Sequence, residues 1–420
     1  MIDLKLLRDD PDAARAGYEK RGGVNGLDRA IELDERHREL LRRVEDLRAE
    51  HNRANKAIGQ ATPEERPAAI DKAKGLADDL KALEPQLDAA AAELEHVVAR
   101  LPNLPHDSVP AGLTEDDNVL EREVGERPTF AFEPRDHVTL GEALGIFDSE
   151  RGVKTSGSRF VYLTGPGVFL ELALVRFAID FLAQRGFQPV VPPVLVRQRA
   201  MYGTGFLPAD EHEFYVTERD DLYLIGTSEV PLASMHADEI LARDELPRRY
   251  AGLSPCFRRE AGSYGKETKG LIRVHQFDKV EQFSFAHPDD SWDEFQSIRA
   301  NQESILQALE IPYRVMVMCA GDLGSSAAKK VDNEAWLPGA QRYLELTSAS
   351  NTTDYQARRL QIRFRDAEGT RLVHTLNGTA CAVGRMIVAL LENHQRADGS
   401  VSIPEALRPY TGFDAITPAE

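Results

Sequence analysis

The chain is poor in cysteine: its 420 residues contain three, Cys256, Cys319 and Cys381. They lie far apart and no two form a CxxC pair, so we expect neither a zinc site nor a disulfide framework. Isolated cysteines of this kind are typical of buried thiols in a protein of the reducing cytoplasm. A cytoplasmic location is therefore our expectation.

Long apolar runs are also missing, and none approaches the roughly 20 residues that a membrane-spanning helix needs. Asp3 interrupts the N-terminal residues before the apolar stretch of a signal peptide can form. With 42% hydrophobic and 29% charged residues, the composition is that of a soluble globular protein. We expect no membrane partner.

Positive charge is scarce as well, with 51 Lys and Arg against 69 Asp and Glu and a net charge of -18. Phosphate contacts need cations, so this balance argues against a nucleic-acid partner. Net charge averages over the whole surface, however, and binding requires only a local basic patch. The acidic balance therefore does not exclude a nucleic acid.

Two apolar runs with alternating spacings of three and four residues lie in the first hundred residues. They comprise Leu40, Val44, Leu47, His51, Ala54 and Ile58, and then Leu76, Leu80, Leu83, Leu87, Ala90, Leu94 and Val97. This spacing indicates the seam of a coiled coil. The short connection between the runs predicts antiparallel helices, with Thr62 capping the second helix and Pro63 in its first position. A first helix from Leu27 to Gly59 would be about 50 Å long, which favours an arm separate from a globular body.

Basic residues outnumber acidic ones near the predicted turn, where Arg48, Arg53 and Lys56 are the candidate nucleic-acid contacts. A solvated helix face of mixed charge is the alternative interpretation. The Pro-rich stretch 101–110 reads as a linker, and short strand-like runs alternate with amphipathic helices after it. We predict an α+β fold in which residues 1–110 form the arm with its linker and residues 111–420 form a catalytic domain.

A strand-like segment near residue 280 carries an unusual set of side chains on one face. Alternate residues of a β-strand point to the same face, so this face would carry Arg273, His275, Phe277, Lys279, Glu281 and Phe283. A face that mixes cations, an aromatic ring and a carboxylate is a poor core surface, so we interpret it as the floor of a site. A strand solvated on both faces would look similar.

Several segments, in order along the chain, resemble the class II seryl-tRNA synthetases. Motif 2 is matched by Phe257 to Ala261, Gly262, Ser263, Tyr264, Gly265 and His275 to Glu281, motif 1 by Gly186 to Pro193, the TxE serine loop by Thr227 to Glu229, and motif 3 by Leu376 to Thr379 with Val383 to Arg385 and Glu392, Asn393. Further matches are the joint 103–110, the stretch Tyr202 to Gly205 with Pro208, the segment Glu345 to Ser348 and the run Gln356 to Arg359. The resemblance covers nearly the whole chain, arm included.

The resemblance implies a two-helix coiled-coil arm followed by a class II antiparallel-sheet catalytic domain, and it implies site residues. The residues that it implies for serine binding are Thr227, Ser228, Glu229, Glu281 and Thr379. Those that it implies for ATP binding are Arg258, Arg259, Glu260, Phe277, Glu345, Leu346, Thr347, Ser348 and Arg385. Arg258 and Arg385 are the implied catalytic residues, because fixed cations stabilise charge growing on the phosphates. Glu345 and Ser348 offer the hard oxygen ligands that Mg²⁺ prefers, and Arg48, Arg53 and Lys56 would contact tRNA.

The implied substrates are L-serine, ATP and tRNA(Ser), with Mg²⁺ as the metal and a homodimer formed through motif 1. Charging of tRNA(Sec) is left open. One alternative is an amino-acid:carrier-protein ligase on the same catalytic domain, which would lack the arm. A degenerate binding paralogue would be expected to lose Arg258, Glu281 or Arg385, and all three are present. A duplicate synthetase that confers antibiotic resistance would keep every motif, so the sequence does not separate it from a housekeeping enzyme.

Overall fold

The computed structural model describes residues 1–261 and 270–418. Gly262, Ser263, Tyr264 and Gly265 of the motif 2 resemblance lie outside the described residues. The chain divides into two compact units, one formed by Met1–Glu19 with Gly23–Pro102 and the other by Lys20–Gly22 with Asn103–Glu420.

The first unit is helical and is built around a long hairpin. Its helices are α1 (Leu4–Asp9), α2 (Pro11–Glu19), α3 (Leu27–Gln60) and α4 (Arg66–Val98). Ion pairs join Arg29 to Glu93 and Arg48 to Glu84, so the two long helices run antiparallel. The predicted seam is confirmed: Leu40, Val44, Leu80, Leu83 and Ala90 form one buried cluster with Leu47 and Leu87 packed against it.

The second long helix begins three residues later than the sequence suggests. Thr62 and Glu65 do interact, because the Thr62 Oγ1 donates to Glu65 Oε2 at 2.9 Å. That contact closes a turn before the helix, and α4 starts at Arg66 with a proline in its first two positions. The prediction that Thr62 caps this helix is therefore wrong. Pro67 lies in the first turn of α4, a position as favourable for proline as the one predicted for Pro63.

A buried carboxylate ties the start of the hairpin to the N-terminal helix. Asp34 on α3 is 2% exposed. It accepts hydrogen bonds from Arg8 on α1 at 2.7 Å and from Arg38 one turn further along α3 at 2.9 Å. Two cations balance the cost of burying the charge, so α1 is held against α3.

The second unit combines helices on a large sheet with several small sheets. Its helices are α5 (His137–Ala143), α6 (Ser149–Ser156), α7 (Pro166–Ala183), α8 (Gln198–Thr204), α9 (Glu229–Ser234), α10 (Ser291–Ala308), α11 (Tyr355–Leu360), α12 (Val383–Asn393) and α13 (Arg408–Thr411). Its strands are β1 (Val119–Val124), β2 (Phe147–Asp148), β3 (Tyr162–Leu163), β4 (Gln188–Val190), β5 (Leu195–Arg197), β6 (Val216–Thr217), β7 (Leu222–Leu224), β8 (Ile240–Ala242), β9 (Arg248–Phe257), β10 (Gln276–Ala286), β11 (Tyr313–Val317), β12 (Lys329–Leu337), β13 (Arg342–Asn351), β14 (Arg363–Asp366), β15 (Gly369–Leu372), β16 (His374–Ala382), β17 (Val401–Ser402) and β18 (Ala415–Ile416).

The large sheet is the framework of this unit. Its strand order is β1-β11-β12-β13-β16-β10-β9-β4, antiparallel throughout except for the parallel pair β4 and β9. This order places β9, β10, β16 and β13 side by side at its centre, and these are the strands that carry the predicted site. The α+β fold and the antiparallel sheet are confirmed.

Helix α10 packs closely against the centre of the sheet at Gly378. A Cβ on Gly378 would lie 2.4 Å from the Ile298 Cγ2, so a larger residue would push the helix away. The close approach lets the buried Gln302 of α10 donate to the backbone oxygens of Ser348 at 2.8 Å and Thr379 at 3.0 Å. One side chain thus braces β13 and β16 directly beneath the predicted site.

All three cysteines are free and buried, as expected from their spacing. Within residues 1–261 and 270–418, no helix is both long and apolar enough to cross a bilayer.

The hairpin seam gives a stability prediction. Leu83→Ala should lower the free energy of unfolding of the hairpin by about 2–5 kcal/mol, because it leaves a cavity between two tightly packed helices. Denaturation followed by far-UV circular dichroism measures the effect. Ile70→Ala in the same helix is the matched control, since Ile70 is 47% exposed. Equal losses in the two variants would contradict the seam.

Candidate active site

A cleft of roughly 560 Å³ opens over the centre of the large sheet. Its lining includes most of the predicted ATP residues, namely Arg258, Glu260, Phe277, Glu345, Leu346 and Arg385, together with Lys279 and Thr379. They come from the end of β9, from β10, β13 and β16, and from the start of α12. Residues distant in sequence therefore meet because their strands are neighbours in the sheet.

Next to the cleft lies a buried polar cluster centred on Glu281, which is 2% exposed and contacts the cleft-lining residues Lys279 and Thr379. Lys279 Nζ lies 2.7 Å from Glu281 Oε2 and donates to Thr227 Oγ1 at 2.7 Å. Thr379 faces Glu281 across the β10–β16 ladder and donates to the same oxygen at 3.3 Å. The Lys279 ammonium thus joins the serine-assigned residues Glu281 and Thr227, and Thr379 joins the cluster through Glu281.

Glu229, the first residue of α9, is a second buried carboxylate in this region. It accepts a hydrogen bond from Gln356 Nε2 at 2.7 Å. Burial, with the negative charge of Glu281 adding to it, raises the pKa of the Glu229 carboxyl to about 7, although Gln356, Lys279 and Arg258 act in the opposite direction. Its charge is therefore sensitive to pH near neutrality.

Arg258 is held at the mouth of this cluster by its backbone and side chain together. Its Nε donates to the Gly226 carbonyl at 3.2 Å, and its guanidinium lies 5.4 Å from the centre of the Phe277 ring. The His275 Nδ1 lies 2.9 Å from the Arg258 carbonyl oxygen, and the Arg258 N–H donates to the His275 carbonyl at 3.0 Å. His275 precedes β10 and braces Arg258.

Glu260 follows in a turn with a left-handed backbone, at φ 51°. A glutamate rarely adopts this conformation, which costs on the order of 1–3 kcal/mol and persists where the surroundings enforce it. Here Arg273 Nη1 donates to Glu260 Oε2 at 2.8 Å. The pair fixes the Glu260 carboxylate in the lining of the cleft, which also includes Phe277.

Glu345 and Ser348 share a face of β13 although they are three residues apart, which alternation alone would forbid. The cause is a bulge: Asp332 pairs with Ser348 and Glu334 pairs with Glu345, so one extra residue of β13 is accommodated between them. Since Asp332 and Glu334 point to one side, so do their partners. The two predicted metal ligands therefore face the same space.

Cations surround Glu345. Arg385, the third residue of α12, donates to the Glu345 carbonyl at 2.8 Å and lies 3.6 Å from its carboxylate. Burial alone would raise the pKa of Glu345, but Arg385, Lys330 and Arg258 outweigh it and hold the pKa well below its usual range. The side chain is 42% exposed to the cleft, so its carboxylate is ionised and accessible.

Some predicted residues are placed differently. Ser228 Oγ donates to the Gly252 carbonyl at 3.3 Å, and Thr347 Oγ1 accepts from Asn333 at 3.0 Å, so both hydroxyls are engaged within the sheet framework. Arg259 is exposed. Phe283 continues the Glu281 face but packs in a hydrophobic core cluster with Phe285, so the expected site floor ends at Glu281.

Two residues of the buried cluster had no predicted role. Lys279 was on the predicted site face, and its spacing from Glu281 was the available signal. Gln356 is separated from Glu229 by 127 positions, and nothing local in the sequence indicates their contact.

The predicted tRNA contacts all lie on α3 of the hairpin. Arg48 is paired with Glu84 on α4 at 2.7 Å, while Arg53 and Lys56 are exposed. Within the described part of the chain, no group of three or more His, Cys, Asp or Glu is arranged to hold a metal ion. A metal at Glu345 and Ser348 would therefore need ligands from a bound molecule, as Mg²⁺ often takes them from phosphates.

Two family models match the chain. The model described as seryl-tRNA synthetase N-terminal domain matches residues 1–105, and the model described as tRNA synthetase class II core domain (G, H, P, S and T) matches residues 213–394. The serine–tRNA ligase of Thermobifida fusca is 52% identical over 100% of this chain and 99% of its own length. That of Corynebacterium glutamicum is 50% identical over 100% of this chain and 99% of its own length.

Solved structures agree with these relatives. The seryl-tRNA synthetase of Pyrococcus horikoshii complexed with ATP is 44% identical, with a TM-score of 0.95 and 100% of both chains covered. The cytoplasmic serine–tRNA ligase of Naegleria fowleri in complex with AMP is 33% identical, with a TM-score of 0.90, covering 100% of this chain and 99% of its own.

The buried polar cluster centred on Glu281 gives a prediction about stability, which can be tested without measuring activity. Lys279→Met should lower the free energy of unfolding by about 3–5 kcal/mol, because it leaves buried carboxylates without their neighbouring cation. The loss should be larger at pH 8 than at pH 6, since protonation relieves the unpaired charge at low pH. Thermal or urea denaturation at both pH values measures it.

Lys154→Met, at an exposed position of the same unit, is the matched control. A loss for Lys279→Met that does not change with pH would mean that packing, and not charge, explains the effect.

Proposed function

The chain belongs to the seryl-tRNA synthetase family, and on that premise we propose that it is a serine–tRNA ligase. It forms seryl-adenylate from L-serine and ATP with release of pyrophosphate, and it then transfers the seryl group to the 3′ end of tRNA(Ser). The observation that carries the proposal is the buried Glu281 carboxylate, which contacts Lys279 and Thr379, two residues that line the same cleft as Arg258. Charging of tRNA(Sec) belongs to the same proposal as a second acceptor.

Serine binds at the buried cluster. Its hydroxyl donates to Glu281, with Thr379 as the neighbouring hydroxyl, and its ammonium lies against Glu229 and the Thr227 hydroxyl. Lys279 holds Glu281 and Thr227 at the spacing seen in the structure. Ser228 contributes to serine binding through its backbone, because its side-chain hydroxyl is hydrogen-bonded to the Gly252 carbonyl.

ATP binds in the wider part of the cleft. The adenine stacks on Phe277, its amino edge meets the Glu260 carboxylate, and Leu346 lines the cleft nearby. Arg385 reaches the terminal phosphate from the start of α12. Arg259 contacts phosphate from the rim, and Thr347 contributes through its backbone.

Arg258 and Arg385 carry the catalysis of activation. The serine carboxylate is already a nucleophile, so no general base is needed for its attack on the α-phosphate. The bond from the α-phosphorus to the bridging oxygen breaks, and pyrophosphate leaves with its electron pair. Arg258 lies where it spans the serine carboxylate and the α-phosphate, and its planar fork stabilises charge that grows between two oxyanions.

Glu345 and Ser348 would hold Mg²⁺. The bulge in β13 puts both oxygen ligands on one face, and the low pKa of Glu345 keeps its carboxylate ionised. When bound, the metal would supply positive charge to the phosphates. Arg385, which also lines the cleft, would add its positive charge there.

The hairpin binds tRNA through Arg48, Arg53 and Lys56, and the protein works in the cytoplasm as a homodimer formed through motif 1. Exposed apolar side chains support the dimer: Val168, Phe169 and Leu172 on α7 and Val191 next to β4 are 42%, 56%, 60% and 78% exposed. Of the alternatives, a carrier-protein ligase is not favoured because the N-terminal domain is present over residues 1–105. A resistance duplicate has no observation in its support.

Glu281 tests the assignment of serine. Glu281→Ala should reduce kcat/KM for serine-dependent pyrophosphate exchange by on the order of 10⁴, because the hydroxyl loses its acceptor. The variant should also lose the preference for serine over alanine. Exchange with radiolabelled pyrophosphate measures both, and Glu142→Ala at an exposed position is the control. Parental serine kinetics in Glu281→Ala would refute the assignment.

The hairpin cations test the binding of tRNA. Replacing Arg48, Arg53 and Lys56 together with alanine should weaken tRNA binding and flatten its dependence on log salt by about 0.7–0.9 per lost phosphate contact. Serine-dependent pyrophosphate exchange should stay at the parental level, since none of the cleft residues is in the hairpin. Filter binding at several salt concentrations gives the slope.

A charge-matched control removes Arg151, Lys154 and Arg365, which are exposed in the other unit. If both triple variants changed the salt dependence equally, the effect would come from net charge and not from the hairpin.

A further inference from the structure

Gln356 on α11 makes three hydrogen bonds that use its whole amide group. It is fully buried. Its Nε2 donates to Glu229 Oε1 at 2.7 Å and to the Thr204 carbonyl at 3.2 Å, and its Oε1 accepts from Thr375 Oγ1 at 2.8 Å. Both amide hydrogens and one oxygen lone pair are therefore engaged.

The partners of Gln356 allow one orientation of the amide. A flip would place its oxygen against the Glu229 carboxylate and the Thr204 carbonyl, which are both acceptors. It would also leave the Thr375 hydroxyl facing an NH₂ group. Gln356 can therefore only donate to Glu229.

The helix that carries Gln356 is itself anchored to the segment that provides Thr204. Arg359 Nη1 donates to the carbonyls of Tyr202 at 2.7 Å and Leu207 at 3.0 Å. At Gly203, a Cβ would lie 2.2 Å from a side-chain carbon of Leu360. The stretch Tyr202 to Gly205 and the run Gln356 to Arg359, which both resemble the family, thus form one buried support behind Glu229.

The donated hydrogen bond has an electrostatic consequence for Glu229. This carboxylate faces Glu281 and Lys279 on β10, Arg258 after β9, and Gln356 on α11. Burial and Glu281 favour its protonated form, whereas a donor such as the amide favours the ionised form. Loss of the amide would therefore shift the balance towards neutral Glu229.

We propose that Gln356 is the positioning residue of the ammonium subsite: its donated hydrogen bond favours the ionised form of the Glu229 carboxylate and aims that carboxylate at the substrate ammonium. The inference rests on the proposed function, in which Glu229 receives that ammonium. Thr375 and the Thr204 carbonyl fix the amide, so the buried network determines the charge of the residue that contacts serine.

Gln356→Met tests the proposal, because methionine has a similar length and cannot donate. KM for serine in pyrophosphate exchange at pH 7 should rise roughly tenfold or more, the effect of losing a hydrogen bond to a charged group. KM for ATP should change less than about twofold. Gln184→Met, at an exposed position, is the control.

The pH profile separates positioning from a purely structural role. In the parent, kcat/KM for serine should fall as pH drops through about 7, where Glu229 takes up a proton. In Gln356→Met this limb should move to higher pH, so the defect should shrink towards pH 8.5. A defect of constant size at every pH, or a matching rise in KM for ATP, would overturn the proposal.

A double-mutant cycle distinguishes this inference from the proposed function. Glu229→Gln should raise KM for serine by itself, and adding Gln356→Met should then have little further effect. If Glu229→Gln leaves KM for serine unchanged, the assignment of the ammonium to Glu229 fails. If Glu229→Gln raises it but Gln356→Met does not, Glu229 keeps its role and the inference about Gln356 is wrong.

Discussion

The cleft is arranged around one constraint: Glu229 is a buried carboxylate that is costly to ionise, because of its burial and because of the negative charge of the neighbouring Glu281. Lys279 lies against Glu281 and reaches Thr227, while Gln356 donates to Glu229. A molecule that brings one ammonium and one hydroxyl matches this arrangement, because it supplies a positive charge for Glu229 and a hydrogen-bond donor for Glu281. A buried site of two acids therefore favours a small amino acid with a polar side chain.

The large sheet limits and supports the buried polar cluster. The face of β10 that carries Phe277, Lys279 and Glu281 changes to core packing at Phe283, so the polar cluster ends where the apolar cluster begins. Beneath it, Gln302 braces the backbones of Ser348 and Thr379 because Gly378 lets α10 approach. The side chains that we propose to contact ligand are therefore held by a hydrogen-bonded scaffold, as a preorganised site requires.

The sequence predicts best what depends on local pattern. The heptad seam of the hairpin follows from helical periodicity, and the structure has it. Of the site face predicted from strand periodicity, the structure keeps Phe277, Lys279 and Glu281, whereas Arg273 and His275 precede β10 and Phe283 belongs to the core. The start of α4 differs because Thr62 and Glu65 close a turn and Pro67 provides another start. Contacts between distant segments could not be derived from local pattern. The orientations of the Ser228 and Thr347 side chains depend on how the strands meet. The hydrogen bond from Gln356 to Glu229 depends on where α11 packs. The resemblance to the family named the residues, but it did not say which of them act through a backbone or through a neighbour.

The bulge in β13 has a consequence for how this region can vary. Glu345 and Ser348 face the cleft together because one extra residue lies between their paired partners on β12. Deleting a single residue between them would restore regular pairing and leave the glutamate and the serine two positions apart, which alternation again puts on one side. Inserting one would instead separate them by four positions across an enlarged bulge and displace the strand beyond it. The effect of a change in length therefore depends on its direction. A segment that is one residue shorter can keep the side-chain oxygens of the glutamate and the serine on the cleft side of the sheet. A segment that is one residue longer must distort the central sheet.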